Sequence, residues 1–233
     1  MQRIGIIGGM SWESTQLYYR LINERVRAVK GGLSSAPLLI HSVDFAPVAA
    51  LQAAGDWDGL TRLMVQAGLD LKAAGARSLA IATNTMHKMA DEVAARTGLP
   101  LIHIADATAA CVRAAGLTRV ALLATRFTME QAFYRDRLTA AGLSVLVPDA
   151  GERAEIHRVI YEELCRGMVR DDSRATYARI IAGLKDRGAQ AVILGCTEIT
   201  MLVRPQDIEM PLFDTTAIHA AAIADQAIRD DLQ

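Results

Sequence analysis

The sequence predicts an α/β protein in which short strands alternate with longer helices. Eight short, continuous segments are largely apolar and rich in Ile, Leu and Val, and between them apolar residues recur at helical spacing. Strands without polar alternation are typical of parallel sheets that are covered on both faces. Hydrophobic residues make up 52% of the 233 positions and aromatic residues only 5%, a globular composition that suits closely packed helices. We therefore expect open parallel sheets with crossover helices.

Each element follows from a local pattern. The strands are predicted at residues 3–7, 37–43, 78–82, 101–102, 119–124, 144–147, 191–194 and 212–213. The helices are predicted at residues 12–30, 56–74, 86–96, 106–115, 129–141, 152–165, 173–187 and 216–231. In the first helix, Ser11 is the predicted N-cap and Gly31-Gly32 ends the helix.

A faint internal repeat relates two parts of the chain. Segment 4–9 aligns with segment 120–125, and segment 81–85 aligns with segment 194–198 at nearly the same spacing. In each pair, a strand runs into a polar turn that precedes a helix. The two matched pairs predict two similar α/β halves.

The charge balance argues against nucleic acid or a membrane surface as a partner. The chain has 25 Lys and Arg residues against 26 Asp and Glu residues, a net charge of -1. No apolar stretch approaches the roughly 18 residues needed to span a bilayer, and the N-terminal segment lacks the apolar core of a signal peptide. A cytoplasmic location is therefore expected. The five histidines and three cysteines show no metal-ligand spacing, so no metal site is expected.

Four turns at the predicted carboxyl ends of strands carry candidate binding residues: 8–11, 83–85, 125–128 and 196–198. Ligands of open α/β sheets bind at this edge, where backbone N–H groups and helix N-termini hold anions such as carboxylates. The glycine-rich nucleotide motifs are absent, which argues against a dinucleotide site. Gly8-Gly9 is either a tight strand-to-helix turn or a close ligand contact.

Cys196 has the strongest case for chemistry among the cysteines. It lies between Gly195 and Thr197, after an apolar strand and before a predicted helix. Because a helix N-terminus lowers a thiol pKa, the position predicts a thiolate available as base or nucleophile, with packing as an equal alternative. Cys111 and Cys165 lie within predicted helices and are interpreted as small buried hydrophobic residues.

Three segments together resemble the aspartate/glutamate racemase family: 4–15, 82–87 and 195–199. The closest likeness is to enterobacterial members with the Thr-Asn-Thr-Met-His form of the second segment. The resemblance runs along the whole chain and implies two flavodoxin-like parallel-sheet domains related by a pseudo-twofold axis, with the active site in the cleft between them. We assign the domains to residues 1–115 plus 214–233 and to residues 116–213. The resemblance also implies a homodimer.

The resemblance further implies an activity and a set of site residues. The family racemises amino acids without a cofactor such as pyridoxal phosphate, so the expected partner is a small-molecule amino-acid substrate and the expected product is its D- or L-enantiomer. Two opposed acid/base residues, usually both cysteines, remove the α-proton from one face and return a proton to the other. By position these are Thr83 and Cys196, the same pair that the internal repeat matches. The positions that would contact substrate are Met10, Gln52, Asn84, Thr85, Thr197 and Glu198.

Two departures from the family pattern bear on the activity. Thr83 stands where most relatives have cysteine, and an alcohol is a far weaker acid than a thiol, which titrates near 8.5. Help for Thr83 from water or from His87 is one hypothesis, and a structural role for His87 is the other. Aspartate-selective relatives tend to carry one basic residue in the region after Asp44-Phe45 and another in the helix before the second cysteine, where this chain has Val48 and Leu164. The alternative sources of a positive charge are Arg126, Arg166 and Lys88. The expected substrates are therefore aspartate, glutamate or a broader range of amino acids.

Two alternatives to racemisation stay open. A single catalytic cysteine would also suit a maleate isomerase or a decarboxylase-like enzyme of the same superfamily. Loss of one cysteine would equally suit a catalytically weakened protein that binds amino acids for regulation. Retention of Cys196 in its polar setting favours the enzyme.

Overall fold

The computed structural model describes residues 1–229 and divides into two compact units. The first unit comprises Met1–His103 and the chain from His219 onward, and the second comprises Ile104–Ile218. Each unit contains one four-stranded sheet in which every pairing is parallel. The predicted α/β class and the two similar halves are confirmed.

The first unit is built on a sheet with the strand order β2-β1-β3-β4. Its strands are β1 (Ile4–Gly8), β2 (Leu38–Ser42), β3 (Ser78–Ile81) and β4 (Leu101–Ile102). Its helices are α1 (Trp12–Lys30), α2 (Phe45–Ala54), α3 (Trp57–Ala73) and α4 (Ala90–Thr97), the last preceded by a 3-10 turn at Thr85–Met89. The side chains of β1 are buried in two hydrophobic clusters. Ile4 and Ile6 belong to one cluster, and Ile7 belongs to the other. This burial on both faces explains why the strand is apolar throughout.

The second unit repeats this order as β6-β5-β7-β8. Its strands are β5 (Arg119–Ala124), β6 (Ser144–Leu146), β7 (Ala191–Gly195) and β8 (Leu212–Asp214). Its helices are α5 (Ile104–Ala114), α6 (Arg126–Glu130), α7 (Ala132–Ala140), α8 (Ala150–Glu162), α9 (Asp171–Asp186) and α10 (Ile199–Leu202). The last helix, α11 (Thr215–Ile228), begins in this unit and belongs to the first unit from His219 onward. None of the helices within residues 1–229 combines the length and apolar character that crossing a membrane requires.

The repeat extends to side chains at the amino ends of the sheets. Nη1 of Arg3, which precedes β1, donates to the carbonyl of Ala74 at the end of α3, with a distance of 3.3 Å. Nη2 of Arg119, at the start of β5, donates to the carbonyl of Arg187 at the end of α9, with a distance of 3.1 Å. In both units an arginine thus satisfies a carbonyl that the end of a helix leaves without an intrahelical partner.

The structure differs from the predicted helices at several places, and the helix predicted at 86–96 is a 3-10 turn, Thr85–Met89, followed by α4. Helix α2 was not predicted; Asp44 is its N-cap and accepts a hydrogen bond from the Ala46 N–H at 3.1 Å, while Pro47 lies in the first turn, where proline is tolerated. The helix predicted at 129–141 is two helices, because Gln131 adopts an extended conformation between α6 and α7. The predicted end of the last helix, Asp231, lies outside the described residues.

The division between the units also differs from the domain bounds assigned above. The structure divides the chain after His103 and after Ile218, whereas the sequence analysis placed the divisions after residues 115 and 213. Helix α5 accounts for the first difference, since Ile104, Ala109 and Val112 pack into the core of the second unit.

Gly9 provides a test of the turn between β1 and α1. Its φ is 90°, its N–H donates to Oγ1 of Thr15 at 2.8 Å, and a Cβ there would lie 2.2 Å from the Val43 carbonyl oxygen. We expect Gly9→Ala to lower the free energy of unfolding by roughly 2–5 kcal/mol, because left-handed strain and a backbone clash add. Gly31→Ala is the matched control, since Gly31 has a φ of 76° and nothing within 4 Å of the added Cβ. If urea denaturation gave equal losses of unfolding free energy for the two variants, the clash at Gly9 would be contradicted.

Candidate active site

The turn that follows β3 carries three of the predicted site residues. The chain continues from Ile81 through Thr83, Asn84 and Thr85 into the 3-10 turn. Thr83 is half-buried, whereas Asn84 and Thr85 are each only 5% exposed. The turn therefore leaves Thr83 as the most accessible of the three.

Two further predicted residues lie beside this turn. Gln52 on α2 is buried, and its Nε2 donates to Sδ of Met86 at 3.3 Å. Met10, which follows β1, packs in the same hydrophobic cluster as Met86. Gln52 thus contacts the 3-10 turn that follows Thr83, and Met10 belongs to the hydrophobic cluster that underlies it.

Buried histidines lie against the same turn. Nδ1 of His87 is 2.7 Å from the carbonyl oxygen of Thr83. The His87 ring makes edge contacts with the rings of His103 and His219, with centroid distances of 4.6 and 5.4 Å. His219 bonds the Tyr18 hydroxyl and the Ile102 carbonyl, and burial lowers its pKa to about 4. His87 therefore contacts the main chain of Thr83.

The second group of predicted residues follows β7 in the second unit. Cys196 is half-buried, and its Sγ donates to Oε2 of Glu198 at 3.0 Å. Oγ1 of Thr197 lies 3.1 Å from Oγ1 of Thr216, the second residue of α11. Cys196, Thr197 and Glu198 are thus held at the carboxyl end of β7, between that strand and α10.

The electrostatics of Cys196 differ from the sequence expectation. Burial raises the pKa of the Cys196 thiol well above its usual range, and the negative charge of Glu198 raises it further. Helix α10 has only four residues and begins three residues after Cys196, so its dipole does not offset these effects. The expectation of a lowered thiol pKa is wrong. Cys196 is a weak acid in this setting, and its thiolate, once formed, is a correspondingly strong base.

The sequence reasoning missed a set of polar residues at the start of α11. Oδ1 of Asp214 accepts hydrogen bonds from the N–H groups of Thr216 and Ala217, at 2.8 and 3.2 Å, and burial raises the pKa of its carboxyl group. Oγ1 of Thr215 donates to the Leu194 carbonyl at 2.8 Å, one residue before the end of β7. The signal was available, because Asp214 ends β8 and Thr215 directly follows it, at the same edge of the sheet as Cys196.

The other two cysteines are not buried, which corrects the earlier interpretation. Cys111 lies on the outward face of α5, and Cys165 lies in a 3-10 turn at Leu164–Arg166; both are exposed. Within residues 1–229, no group of three or more His, Cys, Asp and Glu side chains is arranged to hold a metal ion.

The amino-acid sequence, including the turns described above, matches a known family along nearly the whole chain. A sequence profile of the Asp/Glu/hydantoin racemase family matches residues 7–223. The chain belongs to this family.

Solved structures of similar proteins agree with the family. A candidate Asp/Glu racemase from Yersinia pestis is 52% identical, with a TM-score of 0.93 and coverage of 98% of this chain and 100% of that chain. An aspartate racemase homologue from Pyrococcus horikoshii is 34% identical, with a TM-score of 0.83 and coverage of 97% and 99%. Picrophilus torridus aspartate racemase, at 19% identity, has a TM-score of 0.74 and coverage of 99% and 94%, and it supports the fold alone.

Two positions distinguish this member of the Asp/Glu/hydantoin racemase family from the aspartate-selective pattern described above. Val48 on α2 is fully buried in the hydrophobic cluster that also contains Met10 and Met86. Leu164 is 2% exposed and packs in the core of the second unit. A basic side chain at either position would be a buried charge in these surroundings, which is costly unless it is paired.

Proposed function

We propose that the chain is a cofactor-independent amino-acid racemase in which Cys196 and Thr83 act on opposite faces of the α-carbon. One observation carries the proposal. In a chain of this family, the Cys196 thiol lies at the carboxyl end of β7 and donates a hydrogen bond to the Glu198 carboxylate. Thr83 follows β3, the strand with the matching place in the first sheet. The two acid/base groups would thus come from equivalent positions of the two units.

The proposed reaction needs only proton transfers. The Cys196 thiolate removes the α-proton and becomes a thiol, while the electron pair of the C–H bond stays on the α-carbon and delocalises into the carboxylate. The Thr83 hydroxyl donates a proton to the opposite face and regains one from water, and the Cys196 thiol then loses its proton to the hydroxide so formed, which restores the thiolate. Because the enantiomers have equal free energies, kcat/KM must be equal in the two directions whichever residues act. The weak acidity of an alcohol therefore slows inversion in both directions equally.

Substrate binding is assigned to polar groups beside the two acid/base residues. We propose that Asn84, Thr85 and Thr197 hold the α-carboxylate and the ammonium group, with Met10, Gln52 and Glu198 as further contacts. The apolar, buried positions of Val48 and Leu164 support substrates beyond those with an acidic side chain. Aspartate and glutamate remain within the proposed range.

The decisive experiment is deuterium wash-in. Each enantiomer of a panel of amino acids is incubated with the protein in D2O, and the α-deuterium content and the chirality are both measured. The proposal predicts α-exchange for at least one amino acid, together with slower inversion. Tight binding by calorimetry without any exchange would instead support a regulatory amino-acid-binding protein.

A second enzymatic function is suggested by the fact that only one of the two equivalent positions, 83 and 196, carries a thiol. One cysteine delivers a proton to one face only, which suits a decarboxylase-like reaction or a maleate isomerase. Release of CO2 from a substituted malonate, or isomerisation of maleate, without any α-exchange of amino acids would favour this alternative.

Glu198→Gln tests how Glu198 controls Cys196. The Glu198 carboxylate accepts the thiol hydrogen bond and repels the thiolate, and both effects raise the pKa of Cys196. A neutral amide removes the charge, so the pKa of Cys196 should fall and its thiolate should form at lower pH. In a pH profile of exchange, the rise with pH should therefore begin at lower pH than in the wild type.

The matched control is Glu209→Gln. Glu209 is exposed and forms an ion pair with Lys185 at 2.7 Å. It has no part in the proposed reaction. Its profile should match the wild type. An unchanged or upward-shifted midpoint in Glu198→Gln would show that Glu198 does not raise the pKa of Cys196.

A further inference from the structure

The geometry of the first unit points to His87 as a positioning residue that fixes the Thr83–Asn84 peptide through its Nδ1–H. This inference rests on the proposed function, because it assigns His87 to the Thr83 side of that reaction. The hydrogen bond between His87 and the Thr83 carbonyl oxygen carries it.

The direction of that hydrogen bond is unambiguous. A carbonyl oxygen only accepts, so Nδ1 of His87, 2.7 Å away, must carry the proton. The same bond closes a compact turn in which the His87 N–H also donates to the Asn84 carbonyl at 3.1 Å. One residue thus holds two successive carbonyls of the segment that carries Thr83.

The bond to His87 also orients the next peptide group. The Thr83 carbonyl and the Asn84 N–H belong to one planar peptide, and among residues 1–229 only the Met10–Ser11 peptide is cis. In a trans peptide these two groups point in opposite directions. Because the Thr83 carbonyl faces the buried His87 ring, the Asn84 N–H faces the opposite side of the turn. Rotation of this peptide would move Thr83 and Asn84 together.

Neighbouring groups keep the His87 ring in place. His87 is 3% exposed, and its ring packs edge-on against His103 and His219, with interplanar angles of 62° and 68°. Nε2 of His219 lies 2.8 Å from the Ile102 carbonyl, so this nitrogen carries the proton and Nδ1 accepts from the Tyr18 hydroxyl at 2.9 Å. The His219 tautomer is therefore defined by its partners, and it presents a fixed ring face to His87.

A plain core role does not explain this arrangement well. Imidazoles lose hydrogen bonds to water on burial, and an apolar side chain would fill the same space without that cost. The bond that His87 makes instead reaches the main chain of the proposed acid/base residue. Positioning of that residue is the function that the hydrogen bond supplies.

Two variants of the His87 side chain separate positioning from acid/base catalysis. In His87→Asn, the amide nitrogen occupies the place of Nδ1 and retains the bond to Thr83 without a titratable group. In His87→Gln, the amide nitrogen occupies the place of Nε2, and the bond to Thr83 is lost. We expect the asparagine variant to stay within about threefold of the wild type. We expect the glutamine variant to lower the ratio of inversion to α-exchange by about tenfold or more.

The ratio is the informative quantity because a general loss of folded protein would lower both rates alike. His41→Asn and His41→Gln are matched controls, since His41 is a partly exposed residue of β2 that pairs with Asp70. Both controls should leave the ratio unchanged. Equal ratios in the two His87 variants would overturn positioning through Nδ1. A large loss in a folded His87→Asn protein would instead assign His87 to proton transfer.

Nitrogen-15 NMR of the wild-type imidazoles tests the geometry without any variant. The proposal requires the Nδ1–H tautomer of His87 in the folded protein, and an Nε2–H tautomer would overturn it. This readout does not depend on turnover. Absence of α-exchange with every amino acid would therefore refute the proposed function, while the NMR result would still decide how the turn is held.

Discussion

Cys196→Ser is expected to lower the rate of α-proton exchange by about 1,000-fold or more, because an alcohol replaces the only thiol assigned to acid/base chemistry. The serine hydroxyl fits the same space beside Glu198 and can still donate a hydrogen bond. It is, however, a much weaker acid than the thiol, and the alkoxide that would have to remove the α-proton is correspondingly scarce. The measurement is deuterium wash-in for each enantiomer at saturating substrate.

Cys111→Ser is the matched control for this prediction. Cys111 is exposed on α5 and has no part in the proposed reaction, so the same atomic change should leave exchange unaffected. Full exchange by Cys196→Ser with every amino acid that the wild type accepts would show that Cys196 is not the acid/base residue. Thermal unfolding of both variants would exclude loss of the fold as the cause.

Thr83→Cys is expected to raise the ratio of inversion to exchange by about tenfold or more, because a thiol exchanges protons near neutral pH far more readily than an alcohol. Exchange on the Cys196 face should stay close to the wild-type rate. The values of kcat/KM for the L- and D-enantiomers should remain equal to each other, since the two enantiomers have the same free energy.

Thr83→Ser accompanies this prediction as a control that keeps the alcohol and removes only a methyl group. Its inversion rate should stay near that of the wild type. Loss of inversion in a folded Thr83→Cys protein, with exchange on the Cys196 face retained, would mean that Thr83 performs a role that a thiol cannot. Chiral chromatography and mass spectrometry of the same samples give both rates.

The fold could be predicted from the sequence because its central strands, β1, β3, β5 and β7, are buried on both faces. Continuous apolar segments such as 120–124 favour such a strand, and β5 includes that segment. Helix α2 was missed because Pro47 breaks the usual helical pattern, although proline is tolerated in a first turn. The helix boundary at Gln131 depends on tertiary packing and leaves no local signal.

The candidate site was only partly predictable for a related reason. Thr83 and Cys196 directly follow strands, and residues at that edge of a parallel sheet can be identified from the order of strands and helices alone. The sign of the Cys196 pKa shift could not be predicted, because it depends on burial and on the side-chain orientation of Glu198. The contact between His87 and His219 joins residues that are distant in the sequence. No sequence motif or spacing predicts this contact.

The matched arginines at the amino ends of the two sheets bear on the ancestry of the chain. Arg3 and Arg119 make equivalent hydrogen bonds to the ends of α3 and α9, in sheets with the same strand order. Duplication of a single half-length gene would produce such a pair. On that history, residues 83 and 196 descend from one ancestral position and have since diverged into an alcohol and a thiol. Thr83→Cys would give these two equivalent positions the same side chain.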